Sequence, residues 1–419
     1  MKALLGAALL FLLMQLRQPL LLLLAAGTAF VHVVLARGEV EYMIQDIWSA
    51  LDREILLSIP MFLLAGAIMT RGTIARRLVN IMVALTAPVP GGLGVATVLS
   101  CAVFAAISGS SIVTMLAVGT VMFPALVAGG YPRAFSIGLV CAGGTLGIII
   151  PPSIPMILFG IMTETSITQL FIAGVLPGLV LAALLGLYAW WRCRGLGKGR
   201  WDGREILRAL RDGFPALALP VLLLGGIYSG HFTPTEAAVA ALVYALLVEG
   251  LVYREIGVKE IYQLIGETVV TLGTLLPLVA FATSLSVILD YERVPQNLVA
   301  WVQTWIEDRA SFLLAANVLL LIAGAFMEVG SAIVILAPLL MPMAKVYGVD
   351  PVHFGIIMTV NLEIGYITPP VGLNLFVAMA AFKAGFTEVC RASLPFVIVM
   401  LVGLAIVSAL PALSLALKR

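Results

Sequence analysis

The chain has 419 residues, of which 62% are hydrophobic and 11% charged, with a mean hydropathy of +1.12. A soluble domain is roughly half apolar and a quarter charged, so the composition excludes one and defines a polytopic membrane protein. The net charge of +2 is spread over many loops, which offers no basic face to a nucleic acid, and no polar stretch is long enough to fold as a separate soluble domain.

At the N-terminus Lys2 precedes an apolar run over 3–14. No small-residue cleavage site follows; Gln15 to Pro19 and more apolar sequence come next, so the run is read as the start of retained membrane helices rather than a signal peptide. Predicted spanning or half-spanning segments begin near Leu20, Ile55, Gly92, Ile112, Ala134 and Ser153. Others begin near Leu170, Phe214, Glu236, Tyr262, Phe312, Ser331, His353, Val371 and Ala392. Several are shorter than the ~20 residues a bilayer requires, and these cluster over 108–152 and 328–370. Re-entrant hairpins or discontinuous helices are expected there, one set per half.

Four amphipathic stretches lie between the apolar runs: Tyr42–Leu51, Glu205–Phe214, Glu255–Ile265 and Val294–Ile306. Met43, Ile44, Ile47, Trp48 and Leu51 share one helical face opposite Gln45, Asp46 and Ser49. These stretches are expected as helices in the membrane plane or as covers on the bundle end. The segment Arg192–Arg211 carries seven Lys or Arg against Asp202 and Glu205, which places it on the cytoplasmic side. Arg71, Arg76 and Arg77 then fall in a cytoplasmic turn. The first half therefore enters from outside and the second, near Tyr262, from inside, although Lys418 and Arg419 are left outside. Two related halves entering from opposite faces form an inverted repeat.

The repeat is visible in the punctuation. Gly147-Ile-Ile-Ile-Pro-Pro152 is answered 218 residues later by Gly365-Tyr-Ile-Thr-Pro-Pro370, and Phe123-Pro124 by Met341-Pro342. In lipid, a helix broken by proline exposes backbone groups that protein, water or an ion must satisfy. Matched breaks in two halves point to a transporter's binding site. Ser108-Gly-Ser-Ser111 and Gly143-Gly-Thr-Leu-Gly147 precede the first break, and Gly324–Glu328, Ser331 and Asn361–Gly365 the second. Hydroxyls and freed carbonyls suit sodium, a hard cation; close backbone packing without an ion is the competing reading. Ser110 and Glu328 are equivalent at the offset. Glu328 and Glu363 are candidate polar lining, Glu328 at the hairpin tip, with Glu363 read equally well as an acid at the watery end of a helix. Thr233-Pro-Thr-Glu236 reads as a capping box starting a membrane helix. Cys101, Cys141, Cys193 and Cys390 show neither paired nor metal-type spacing.

The chain accordingly divides into N-terminal membrane helices with an interfacial arm (1–53), a first repeat (54–191), a basic loop with a connecting helix pair (192–261) and a second repeat (262–419).

With those motifs in hand, the chain resembles the large membrane subunit of tripartite ATP-independent periplasmic (TRAP) transporters over nearly its whole length. The resemblance rests on Ser58–Gly66 (SIPMFLLAG), Ser108–Ser111, Gly147–Ser153, Leu170–Gly178, Thr233–Ala238, Asp350–Gly355 and Gly365–Gly372. It implies an all-α inverted-repeat elevator of the ion-transporter type, with two re-entrant hairpins and discontinuous helices, in the bacterial inner membrane. The implied function is sodium-coupled import of a small organic acid, with no resident cofactor. Implied partners are a small four-helix membrane subunit and a periplasmic substrate-binding protein. One sodium site would draw on Ser108, Ser110, Gly147, Ile150 and Pro152, the other on Gly365, Thr368 and Pro370 with the hairpin around Glu328. Substrate would sit between the tips, near Ser110, Ser111, Glu328 and Ser331. An intramembrane enzyme is the alternative from another class, but His32, His231 and His353 are isolated and form no His-Glu-x-x-His motif. A channel is the third reading.

Overall fold

The computed structural model describes residues 11–34, 40–197 and 199–417, which are helical with no strand. Residues 3–10 of the predicted first segment lie outside them, as do Lys418 and Arg419. Helix α1 (Leu20–Val34) and the arm helix α2 (Val40–Leu51) lead through a 3-10 turn (Glu54–Leu57) into α3 (Ser58–Arg71) and α4 (Ile74–Thr86). The first hairpin is α5 (Gly92–Ser108) and α6 (Ser111–Ala128), and the first broken helix α7 (Arg133–Ile149) and α8 (Ile154–Thr163), with a 41° bend. Helix α9 (Ile167–Cys193) completes this half. Helices α10 (Gly203–Tyr228) and α11 (Pro234–Leu247), the latter prolonged by a π-helical turn (Val248–Val252), connect the halves. The second half repeats the pattern: α12 (Val258–Tyr291), α13 (Val294–Val302), hairpin α14 (Arg309–Phe326) and α15 (Val329–Val346), broken helix α16 (Pro351–Tyr366) and α17 (Leu373–Phe382), then α18 (Phe386–Ala409) and α19 (Pro411–Leu415). Among the described residues, nine helices are long and apolar enough to cross a membrane.

At the 218-residue offset α6 falls on α15 end to end, and α7, α8 and α9 fall on α16, α17 and α18 within two residues. The halves interlock: α8 packs on α15, α17 on α6, and α18 on α7. Each broken helix is thus clamped by the other half's hairpin.

The connectors depart from the sequence reading in three places. Glu205–Phe214 is no separate helix but the first turns of α10, which runs through Pro215 and Pro220. A mid-helix proline frees carbonyls one turn back. For Pro215 that carbonyl is Arg211 O; one residue on, Arg77 and the Tyr253 hydroxyl both donate to the Asp212 carbonyl, 3.2 and 3.1 Å away, and tie this stretch of α10 to its neighbours. Glu255–Ile265 is likewise absorbed into α12, whose 34 residues cross the expected 261/262 boundary unbroken. Third, the expected cytoplasmic turn around Arg76 and Arg77 belongs to α4, which buries Ile74, Leu78, Ile81 and Met82.

A remote carboxylate starts that helix. Its N-cap, Thr73, makes no side-chain capping bond. Instead Glu249 of the π-helical turn, fully buried, accepts from the Thr73 and Ile74 amides at 2.8 and 2.7 Å. The negative group on the positive helix end satisfies orphan donors that α4 cannot satisfy itself.

The capping box at α11 forms as expected: Glu236 N–H donates to Thr233 Oγ1 at 3.2 Å and Thr233 N–H to Glu236 Oε2 at 2.8 Å. Glu236→Ala should lower folded yield and melting temperature slightly while leaving uptake per folded molecule unchanged. Normal yield with lost uptake would contradict the capping role. Cys101, Cys141 and Cys193 are buried and Cys390 partly so, all as free thiols.

Candidate functional site

Each Pro-Pro pair frees carbonyls by covalent structure alone. A helical carbonyl at position i needs the N–H of i+4, and proline has none. Pro151 and Pro152 therefore leave Gly147 and Ile148 without helical donors; Pro369 and Pro370 do the same for Gly365 and Tyr366. In the first half the chain leaves helical geometry at Ile150 (φ −83, ψ 125). The tip of the first hairpin lies against this break. A Cβ on Gly147 would fall 2.4 Å from both Ser110 O and Thr114 Oγ1, and one on Gly109 3.1 Å from Pro152 O. The Ser108 hydroxyl pairs with Thr114 Oγ1 at 2.6 Å. Ser108, Ser110, Gly147 and Pro152 thus lie together, with Ile150 on the same break.

The second break is tighter. Thr368 N–H closes onto Gly365 O at 3.0 Å, and the Thr368 hydroxyl donates to Ile364 O at 2.7 Å. Ala325 O of the second hairpin accepts from the Val371 and Gly372 amides at 3.1 and 3.2 Å. Gly365 is therefore held against the hairpin through Gly324, while Pro369 and Pro370 are exposed where Pro151 and Pro152 are buried. A cation here would use the spare lone pairs of Gly365 O and Thr368 Oγ1, both already engaged in the protein.

The two tips face one cavity of about 470 Å³. Ser110, Ser111, Glu328 and Ser331 all line it, together with Tyr366, Thr271 and Thr274. Among the described residues no Lys or Arg lines it. The N-terminal ends of α6 and α15 open onto it, and helix N-termini favour anions. Their caps differ. Glu328 caps α15, accepting from Ser331 N–H and Oγ at 2.8 and 3.2 Å and from the Tyr366 hydroxyl at 3.1 Å. Ser110 stands at the equivalent position of α6 but makes no side-chain capping bond, so its hydroxyl is free for a ligand. Glu328 is an exposed N-cap facing the cavity.

Glu363 is not at a watery helix end: it lies in the middle of the protein with no exposed surface. The reason is tertiary, since α14, α15 and α18 enclose α16 on several sides. Sequence reasoning missed Asn374, whose amide donates to Ser111 Oγ at 2.7 Å and joins the first hairpin to the second broken helix. A lone Asn in the apolar stretch 371–382 was the available signal. It also missed Thr271 and Thr274, which a continuous α12 brings to the cavity.

A twofold-repeated helical bundle whose paired hairpin tips line one shared cavity defines a secondary-transporter fold. Residues 7–413 match the family model of the tripartite ATP-independent periplasmic transporter, DctM component. The chain is 47% identical over 367 residues to the C4-dicarboxylate TRAP transporter large permease protein DctM of Pseudomonas aeruginosa, covering 87% of this chain and 86% of that one. It is 37% identical to the protein of the same name from Rhodobacter capsulatus, over 100% of this chain and 99% of that one. Among solved structures, the YdaH transporter of Alcanivorax borkumensis shares the fold (TM-score 0.63, 17% identity, 90% of this chain and 89% of that one). The chain belongs to the DctM family of TRAP large membrane subunits and is a multi-pass protein of the bacterial inner membrane.

Proposed function

We propose that this chain imports a small organic acid, coupled to sodium, after delivery by a periplasmic binding protein and with a small four-helix membrane subunit bracing its scaffold. The supporting observation is the convergence of two hairpin tips on one cavity that Ile148, Ile154, Tyr366 and Leu373, flanking the two Pro-Pro breaks, also line, with no Lys or Arg among the described residues there. A carboxylate entering beside Glu328 is repelled unless positive charge comes with it. Helix N-termini supply part of that charge, and sodium at the freed carbonyls supplies the rest. Ion and anion then bind favourably only together, which is what symport requires. C4-dicarboxylates, the substrates in the names of the two permease relatives, favour a small di-acid, and the cavity is large enough for one.

Reconstituted with both partners in proteoliposomes, the chain should take up a C4-dicarboxylate only with an inward sodium gradient; uptake undiminished in potassium alone defeats the coupling. Ser110→Ala and Thr368→Ala should each raise the sodium concentration for half-activation by about tenfold, equivalent to ~1.4 kcal/mol, with little change in expression. Unchanged sodium activation in both removes the assigned sites.

The proposed movement is an elevator, hairpins and broken helices sliding against α3 and α12. A Cβ on Gly66 of α3 would lie 3.5 Å from Val113 Cγ1 of the first hairpin. Cysteines placed by Gly66→Cys and Val113→Cys and bridged by a short crosslinker should therefore stop uptake, and reduction or release of the bridge should restore it. Full uptake in the bridged protein rules the sliding motion out.

A further inference from the structure

Beside the cavity, three side-chain oxygens are buried without a closed hydrogen bond: both carboxylate oxygens of Glu363 and Oδ1 of Asn374. Both residues have no exposed surface. The Ser111 hydroxyl faces the Glu363 carboxylate and accepts from Asn374 Nδ2 at 2.7 Å, so one hydroxyl connects the two. The other ionisable groups nearby are Glu328 and Tyr366, and Tyr366 donates to Glu328, not to Glu363. Among the described residues the ion pairs are Arg71–Glu267 and Arg133–Glu388, so no basic side chain pairs with Glu363.

A buried carboxylate with one hydroxyl beside it and no counter-charge is strongly destabilised. A cluster of a carboxylate, an amide oxygen and a hydroxyl oxygen is the kind of oxygen set that a hard cation binds. With one negative charge among its donors, a monovalent ion neutralises it. The cluster also exists only once. At the 218-residue offset Glu363 and Asn374 correspond to Thr145 and Met156, and Thr145 satisfies its hydroxyl on Ala142 O at 2.5 Å.

We propose that Glu363, Asn374 and Ser111 form a further sodium site, separate from the two at the Pro-Pro breaks, which ties the first hairpin to the second broken helix. Ser111 belongs to α6, Glu363 to α16 and Asn374 to α17. An ion held there joins elements of opposite halves, and its arrival makes the two halves respond together. The proposal rests on the reading that this chain binds coupling sodium, and its test separates the two.

Equilibrium binding of radioactive sodium to the purified full chain, in complex with its small membrane subunit, is the measurement. Glu363→Gln should reduce saturating capacity by one ion per chain and leave the remaining ions binding as before. Asn374→Leu should do the same, and it provides the readout if the first variant fails to fold. Ser110→Ala should weaken a different ion, so combining it with Glu363→Gln should leave one ion fewer per chain and a second bound more weakly. In sodium-free buffer Glu363→Gln should melt at or above the wild type, because it removes an uncompensated charge, and added sodium should close the gap. Full capacity in Glu363→Gln with reduced binding in Ser110→Ala overturns this site and leaves the transport reading standing. A wild type that binds no sodium overturns both.

Discussion

Gly365→Ala is expected to reduce uptake per folded molecule by at least ~100-fold and to lower the folded yield. Its added Cβ would lie 2.3 Å from Gly324 C, 2.5 Å from Gly324 Cα and 2.8 Å from Ala325 N. These are backbone atoms, so no side-chain rotation relieves the clash. The contact is reciprocal: a Cβ on Gly324 would meet Leu362 O at 2.8 Å. Small residues let helix backbones approach this closely, and α14 must move away from α16 once one of them grows. Such overpacking costs about 1–3 kcal/mol, and here the displaced atoms include Ala325 O, which holds the Val371 and Gly372 amides after the break. Geometry at the proposed ion site is therefore lost together with stability. Gly186→Ala is the control, since nothing lies within 4 Å of its added Cβ. Uptake and melting of the two variants provide the check; if they match, the close approach is irrelevant to function.

Glu249→Ala should produce the largest loss of stability. The substitution leaves the Thr73 and Ile74 amides buried without acceptors at the start of α4 and opens a hole beside Gly72, where a Cβ would lie 2.1 Å from Glu249 Cδ. Hydrogen bonds to a charged group contribute about 1.5–3 kcal/mol each, and stranded buried donors cost comparable amounts. A loss of roughly 3 kcal/mol or more follows, seen as a collapse of folded yield in fluorescence-detected size exclusion. Glu249→Gln keeps one acceptor oxygen and the shape, so it should fall between. A wild-type melting curve for Glu249→Ala removes the capping account.

What the sequence decided by itself is the local chemistry. Composition fixes the membrane class. Pro151-Pro152 and Pro369-Pro370 remove named amide donors whatever surrounds them, so both broken helices, their 218-residue spacing and the glycines before them were legible in advance. The capping box at Thr233 was equally plain, because Thr233, Pro234 and Glu236 act within a single turn. Tertiary structure decided whatever depends on partners distant in the chain. Glu249 starts a helix some 175 residues away, and nothing around Arg76 announces it. Helix α10 is tied near its start by remote donors, Arg77 and Tyr253, on Asp212 O, and α12 runs unbroken across the expected boundary. Glu363 and Asn374 read as isolated polar residues in apolar stretches until packing encloses them beside Ser111. The reason is common to all of these: a covalent defect in a helix acts at fixed sequence separation, whereas desolvation and charge compensation depend on which chain segments pack alongside.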